Sequence, residues 1–172
     1  MSGLTIGRAR REELALLPEI ERRAATLFSA EDLAPELLDH VTPVADLEEA
    51  HRDGRLLVAR DEERVVGFVH VVWLAEDAHL QEIDVEPEFG RRGIGRRLVE
   101  AACDWARAQG CDGITLSTYR DVPWNAPFYA RLGFEVVPIH HLSPAQRTLR
   151  EREAKVGLDP FRRVFMIRAL ES

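Results

Sequence analysis

Cysteine is scarce in this chain: Cys103 and Cys111 are the only two among 172 residues, and they stand eight positions apart. Neither a C-x-x-C pair nor a zinc-ligand spacing is present, so no metal is expected. Two thiols of this kind read as buried and reduced, which suits a cytoplasmic protein. An excess of positive charge is also missing. The 23 Lys and Arg against 30 Asp and Glu leave a net charge of −7, the wrong sign for a nucleic-acid surface. That balance is compatible with a cationic amine ligand. Long hydrophobic runs are absent as well. The longest apolar stretch, residues 65–75, is broken by Gly67 and His70 and is too short to span a bilayer, and the first residues lack an apolar signal core. No nucleic-acid or membrane partner is therefore expected. Repeats, low-complexity segments and Pro/Gly/Ser linkers are lacking too. What remains is globular in composition, 45% hydrophobic and 31% charged. The length suits one buried domain and is short for two, so a single domain over residues 1–172 is expected.

The hydrophobic pattern alternates between strands and helices. Residues 4–8 read as a strand and 12–27 as a helix with Leu14, Leu17, Ile20, Ala24 and Leu27 on one face, kinked or divided at Pro18. A helix over 43–53 stops at Gly54. Strands over 56–60 and 64–73 form a hairpin, and the second is apolar on both faces apart from His70, as in a strand covered on both sides. A strand over 79–85 precedes a helix over 93–109, and a strand follows over 114–118. A short helix over 126–132 has Pro127 in its first turn and Gly133 as its stop. Phe134 opens a strand to about Ile139, Ser143 caps a charged helix to Lys155, and 161–170 reads as the last strand. The expected class is α/β, with a central mixed, mostly antiparallel sheet of about seven strands flanked by helices.

Two stretches carry chemistry. In Val85-Glu-Pro-Glu-Phe-Gly-Arg-Arg-Gly-Ile-Gly-Arg-Arg-Leu98, a strand ends at a proline and a glycine- and arginine-bearing loop opens a helix. Free N–H groups at a helix start, with glycines that allow close approach and arginines that add charge, suit a phosphate-bearing ligand. The spacing Gly90-x-x-Gly93-x-Gly95 is not G-x-G-x-x-G, and no G-K-[ST] follows it, so neither the dinucleotide nor the nucleoside-triphosphate loop applies. The second stretch is Asn125-x-x-x-Tyr129-x-x-x-Gly133-Phe134, which sets Asn125 and Tyr129 one helical turn apart.

Together these stretches resemble the GNAT superfamily of acetyl-CoA-dependent N-acetyltransferases, over roughly residues 56–134. The first resembles its pyrophosphate loop, [Q/R]-x-x-G-x-[G/A], with Gly93 and Gly95 in place and Gly90 where Gln or Arg is usual. The second resembles its later N…[Y/F]…G-F signature. The resemblance implies a GNAT-like acyltransferase fold, acetyl-CoA as co-substrate and direct transfer to a primary amine of a small molecule or peptide. It implies CoA contacts from Ile83, Val85, Arg91, Arg92, Gly93, Ile94, Gly95, Arg96, Asn125 and Phe128. It also implies that the Val85 N–H polarises the thioester carbonyl and that the Tyr129 hydroxyl protonates the departing thiolate. The base does not transfer with the motif. Glu82, on the strand three residues before Val85, is the candidate; His79 is second, and a water relay is a further route.

A catalytically inactive CoA-binding sensor of the same fold is the alternative, and a structural α/β domain with a chance turn is a third reading. Tyr129 favours the enzyme, because a pure binder has no use for a hydroxyl at the leaving sulfur. The acceptor end is expected from residues 27–43 and around His140, His141 and Leu142, with the charged helix over 143–155 capping its entrance. A homodimer is left open.

Overall fold

A computed structural model of the chain describes residues 3–171. Its strands are β1 (Leu4–Arg8), β2 (Leu56–Asp61), β3 (Arg64–Leu74), β4 (Asp77–Val85), β5 (Gly113–Tyr119), β6 (Glu135–Val137) and β7 (Arg163–Ala169). Its α-helices are α1 (Leu17–Ala25), α2 (Val44–Arg52), α3 (Ile94–Ala108), α4 (Ala126–Arg131) and α5 (Pro144–Lys155). The strands form one mixed sheet in the order β1-β2-β3-β4-β5-β7-β6. The β4–β5 pair is parallel, whereas β1–β2, β2–β3, β5–β7 and β6–β7 are antiparallel. Among the described residues no helix is long and apolar enough to cross a membrane. The chain clusters into two compact units, one built from the residues up to Val72 with Gln81–Trp105, the other from Trp73–Leu80 with Ala106 onward.

In the first unit the division expected at Pro18 falls between Leu16 and Leu17. A 3-10 helix over Arg11–Leu16 hands over to α1, with Pro18 in the first turn, where its missing N–H costs nothing. Leu14, Leu17, Ile20, Leu47 and Ala50 then pack with Leu56, Val58, Val65 and Phe68 into one apolar cluster. The β3 run from Val65 to Val71 is buried throughout, as its two-faced apolar pattern predicts. Gly67 within it has a reason the sequence did not reveal. A Cβ there would lie 2.9 Å from the Asp84 carbonyl oxygen and 3.2 Å from Leu98. Only glycine lets β4 and α3 approach β3 this closely.

A buried ion pair crosses this unit. Arg60 Nε donates to Glu13 at 2.6 Å, and Arg60 Nη2 donates to the other Glu13 oxygen at 2.7 Å and to the Arg8 carbonyl at 2.9 Å. Burial raises the Glu13 carboxyl, but the Arg60 hydrogen bonds, the Arg10 amide and the two arginine charges outweigh it and hold the group below the usual glutamate range. Glu13→Gln leaves a buried guanidinium without its counter-ion and should cost about 2–3 kcal/mol. Thermal unfolding should report this as a fall in Tm of about 4–12 °C. Because the folded value is depressed, the parent's advantage is full above the unfolded value, about pH 4.3, and disappears as pH falls through the folded one. Parent and variant melting curves should therefore converge in acid.

In the second unit β4 and β5 are in register over Ala78–Leu80 and Ile114–Leu116, while β4 itself runs on to Val85. β7 lies between β5 and β6, aligned over its whole length with β5 from Gly113↔Ala169 to Tyr119↔Arg163. Departures from the expected boundaries have plain causes at β6 and β7. β6 ends at Val137 because Pro138 follows, with no N–H to continue a ladder, and Ile139 belongs to a 3-10 turn instead. β7 begins at Arg163; Phe161, expected inside it, is 79% exposed, in a turn closed by its N–H to Asp159. The charged helix α5 is capped by Ser143 and Gln146 in reciprocal bonds. It is not merely solvent-facing. Glu153 accepts from Arg163 at 3.1 Å and from the Ser117 hydroxyl at 3.0 Å, which ties α5 to β5 and β7.

Candidate active site

The loop before α3 is shaped by two left-handed residues, Arg91 at φ 60° and Gly93 at φ 77°. Left-handed backbone in a non-glycine residue is uncommon and concentrates at ligand clamps. Gly93 caps the helix, its carbonyl accepting the Arg97 N–H at 3.1 Å. The amides of residues 91–96 have no backbone acceptor among the described residues. A Cβ on Gly93 would meet nothing within 4 Å, so the space on that side of the turn is open. Arg91, Arg92 and Arg96 are exposed, Gly95 is half-buried, and Ile94 is buried and anchors the first turn. Arg92 stacks on the Phe89 ring at 4.8 Å, which limits where its charge can go. Glu88, the nearest acid in the sequence, is paired with Arg64. Amides without backbone acceptors, a helix N-terminus and exposed arginines are groups that suit a phosphate-bearing ligand. The usual Gln or Arg side chain is absent at Gly90, and nothing in the backbone cradle depends on it.

In the same unit, β4 places Glu82 and Asp84 on one face and Ile83 and Val85 on the other, all four half-buried. Glu21, on the buried side of α1, meets the first face: ligand-type oxygens of Glu21, Glu82 and Asp84 all lie within 4.8 Å of one another. Glu21 accepts from Thr42 N–H at 2.9 Å and from its hydroxyl at 3.4 Å. One Asp84 oxygen, Oδ2, is buried with no hydrogen-bond partner. Burial, then the Glu82 charge, a hydrogen bond with Glu82 and the Glu21 charge push the Asp84 carboxyl well above the usual range. Burial also raises Glu21, against the Thr42 bonds and the charges of His40 and Arg22. Arg23 grips Glu86 at 2.9 and 2.5 Å, and the Glu86 N–H donates to Val66 O at 2.8 Å, so the end of β4 and the end of α1 are fixed to each other.

Asn125, Phe128 and Tyr129 lie in the other unit. The Thr118 hydroxyl donates to the Asn125 side chain, and the Asn125 carbonyl accepts the Tyr129 N–H at 3.0 Å. Tyr129 is 6% exposed, its ring edge-on to Phe128 and to Phe134 at centroid distances of 5.2 and 5.8 Å. Gly133, at φ 89°, turns the chain so that the Phe134 N–H reaches the Tyr129 carbonyl at 3.1 Å. His79, the second candidate base, is 2% exposed with Nδ1 2.8 Å from the Thr115 hydroxyl. Burial first, and then the Arg163 charge, lower it to about 4. It is a neutral, satisfied core histidine at physiological pH.

Glu21 and Asp84 went unnoticed in the sequence, although each leaves a trace. Glu21 interrupts the apolar stripe Leu17, Ile20, Ala24 on the inward face of a helix. Asp84 is two residues from Glu82 on a strand, so the two share a face.

The seven-stranded mixed sheet, with its loop opening α3, has the fold of an acyltransferase. Residues 18–134 match the acetyltransferase (GNAT) family, and the chain belongs to that family, whose members are N-acetyltransferases using acetyl-CoA. Two curated relatives are similar over shorter stretches. The glucosamine 6-phosphate N-acetyltransferase of Trypanosoma brucei brucei is 30% identical over 33% of this chain and 36% of its own length. An uncharacterized N-acetyltransferase of Methanocaldococcus jannaschii is 36% identical over 41% of this chain and 34% of its own. The match thus spans about a third of either relative. Among solved structures, the PaiA N-acetyltransferase of Thermoplasma acidophilum in complex with coenzyme A shares the fold, with a TM-score of 0.71 at 18% identity over 98% of this chain and 99% of that one.

Proposed function

We propose that this chain, acting as one acetyltransferase domain, moves an acetyl group from acetyl-CoA directly to the primary amine of a small molecule or peptide. The observation that carries this reading is the run of amides at 91–96 without backbone acceptors, in which Arg91 and Gly93 are left-handed. In this reading the loop holds the CoA pyrophosphate, with Arg91, Arg92 and Arg96 adding charge. Ile83, Val85, Asn125 and Phe128 contact the pantetheine and acetyl end, and the Val85 N–H polarises the thioester carbonyl. Glu82 takes a proton from the acceptor ammonium, directly or through water. The freed nitrogen attacks the carbonyl carbon; the C–N bond forms, the C–S bond breaks, and the Tyr129 hydroxyl protonates the CoA thiolate.

Release of thiol from acetyl-CoA across a panel of amines tests the reaction. Tyr129→Phe, which keeps the ring packing and removes the hydroxyl, should lower turnover roughly 10- to 1000-fold with CoA affinity and Tm near the parent's. The loss should shrink for an acyl donor with a more acidic leaving thiol. Full activity of Tyr129→Phe would remove the hydroxyl from the mechanism. CoA binding without turnover on any amine would instead favour a sensor.

A further inference from the structure

Resting on the transferase reading above, we infer that Glu21 and Asp84 join Glu82 as the acceptor subsite, and that they select a small amine carrying a second cationic group and no neighbouring carboxylate or phosphate. Glu21 comes from a helix and the other two from a strand some sixty residues later, yet all three groups lie within 4.8 Å. The placement is held from both sides, by the Arg23 grip on Glu86 and by the two Thr42 bonds to Glu21. The arginines of α1 make their hydrogen bonds elsewhere, Arg22 to Glu19 and Asp39 and Arg23 to Glu86, although the charge of Arg22, with that of His40, reaches Glu21. The buried Asp84 Oδ2 atom, without a partner, calls for a donor. A primary ammonium brings three N–H donors, one for each carboxylate. The three carboxylates crowd one another within 4.8 Å and concentrate negative charge at one point. One ammonium balances only part of it, and a second cationic group on the acceptor adds to the balance. An acid beside the reacting nitrogen would face the same carboxylates and be repelled.

Initial rates with the full chain and saturating acetyl-CoA decide the matter. The value of kcat/KM for 1,4-diaminobutane should exceed that for butylamine by about 10-fold and those for glucosamine 6-phosphate and glutamate by about 100-fold or more. Glu21→Gln keeps an oxygen to accept from Thr42 and removes one charge. It should raise the diamine KM about 10- to 100-fold, leave the acetyl-CoA KM unchanged and alter kcat by less than about 3-fold. Glu21→Asp should recover part of the loss, which a purely structural role would not produce. Equal or better use of the phosphorylated or carboxylated amines, or an unchanged diamine KM in Glu21→Gln, overturns the subsite and leaves the transferase standing. Calorimetry with 1,4-diaminobutane, with and without CoA, separates the other failure. Diamine binding abolished by Glu21→Gln, with no turnover on any amine, keeps the subsite and sinks the transferase. Displacement of bound diamine by micromolar Mn²⁺ marks a metal site and overturns the inference.

Discussion

Gly93→Asp should weaken CoA binding by about 100-fold or more. A carboxylate at that position would project into the open side of the loop, where a Cβ now meets nothing within 4 Å. At about 5 Å from a phosphate charge, with an effective dielectric of about 20, the repulsion is about 3 kcal/mol per charge, and every 1.4 kcal/mol is tenfold. Residue 93 is also left-handed, at φ 77°, so any side chain there adds strain. Gly93→Asn separates the two effects, since it matches Asp in shape, tolerates left-handed backbone and carries no charge. Calorimetry with CoA should rank the parent first, then Gly93→Asn, then Gly93→Asp by a wide margin. Parent-like affinity in Gly93→Asp would move the pyrophosphate away from this loop. Equal losses in both variants would mean that backbone shape, rather than charge, governs the site.

The loop is legible in the sequence because everything in it is local. A strand that ends at Pro87, a glycine that caps a helix and an inward-facing Ile94 are encoded within a dozen residues. The same holds for the turn from Asn125 to Phe134, where Pro127 and Gly133 bound one short helix. Strand order was not legible, since β7 enters between β5 and β6 through pairings some thirty to fifty-five residues apart. The carboxylate cluster was half legible. Glu82 could be read from its strand, but its neighbour Glu21 is brought in by the packing of Leu17 and Ile20, and sequence spacing alone does not report that. His79 and Glu82 looked alike as strand residues near the loop. Burial separates them: one is sealed against Thr115 and Phe165, the other half-exposed beside two further acids.

That difference makes Glu82→Gln the most telling change to the proposed chemistry. If Glu82 takes the acceptor's proton, turnover should fall roughly 10²- to 10⁴-fold while CoA affinity stays near the parent's. The pH profile carries the sharper signature. Glu82 and Asp84 are hydrogen-bonded and titrate as a pair, with Glu21 on α1 facing them and His40 and Arg22 acting on Glu21. Burial and the neighbouring carboxylates raise Asp84, so the pair gives up its last proton at a higher pH than a lone carboxylate would. The base must be free of its proton to work. Activity should therefore be low in acid and rise through the pair's upper apparent pKa, at a higher pH than a lone carboxylate would give. Glu82→Gln should flatten that limb. Asp84→Asn leaves Glu82 to titrate without its acidic partner, so the limb should move to lower pH with a smaller loss at the plateau. A Glu82→Gln profile with the parent's limb and near-parent turnover would take the proton away from this cluster, leaving a water relay to bulk solvent as the route.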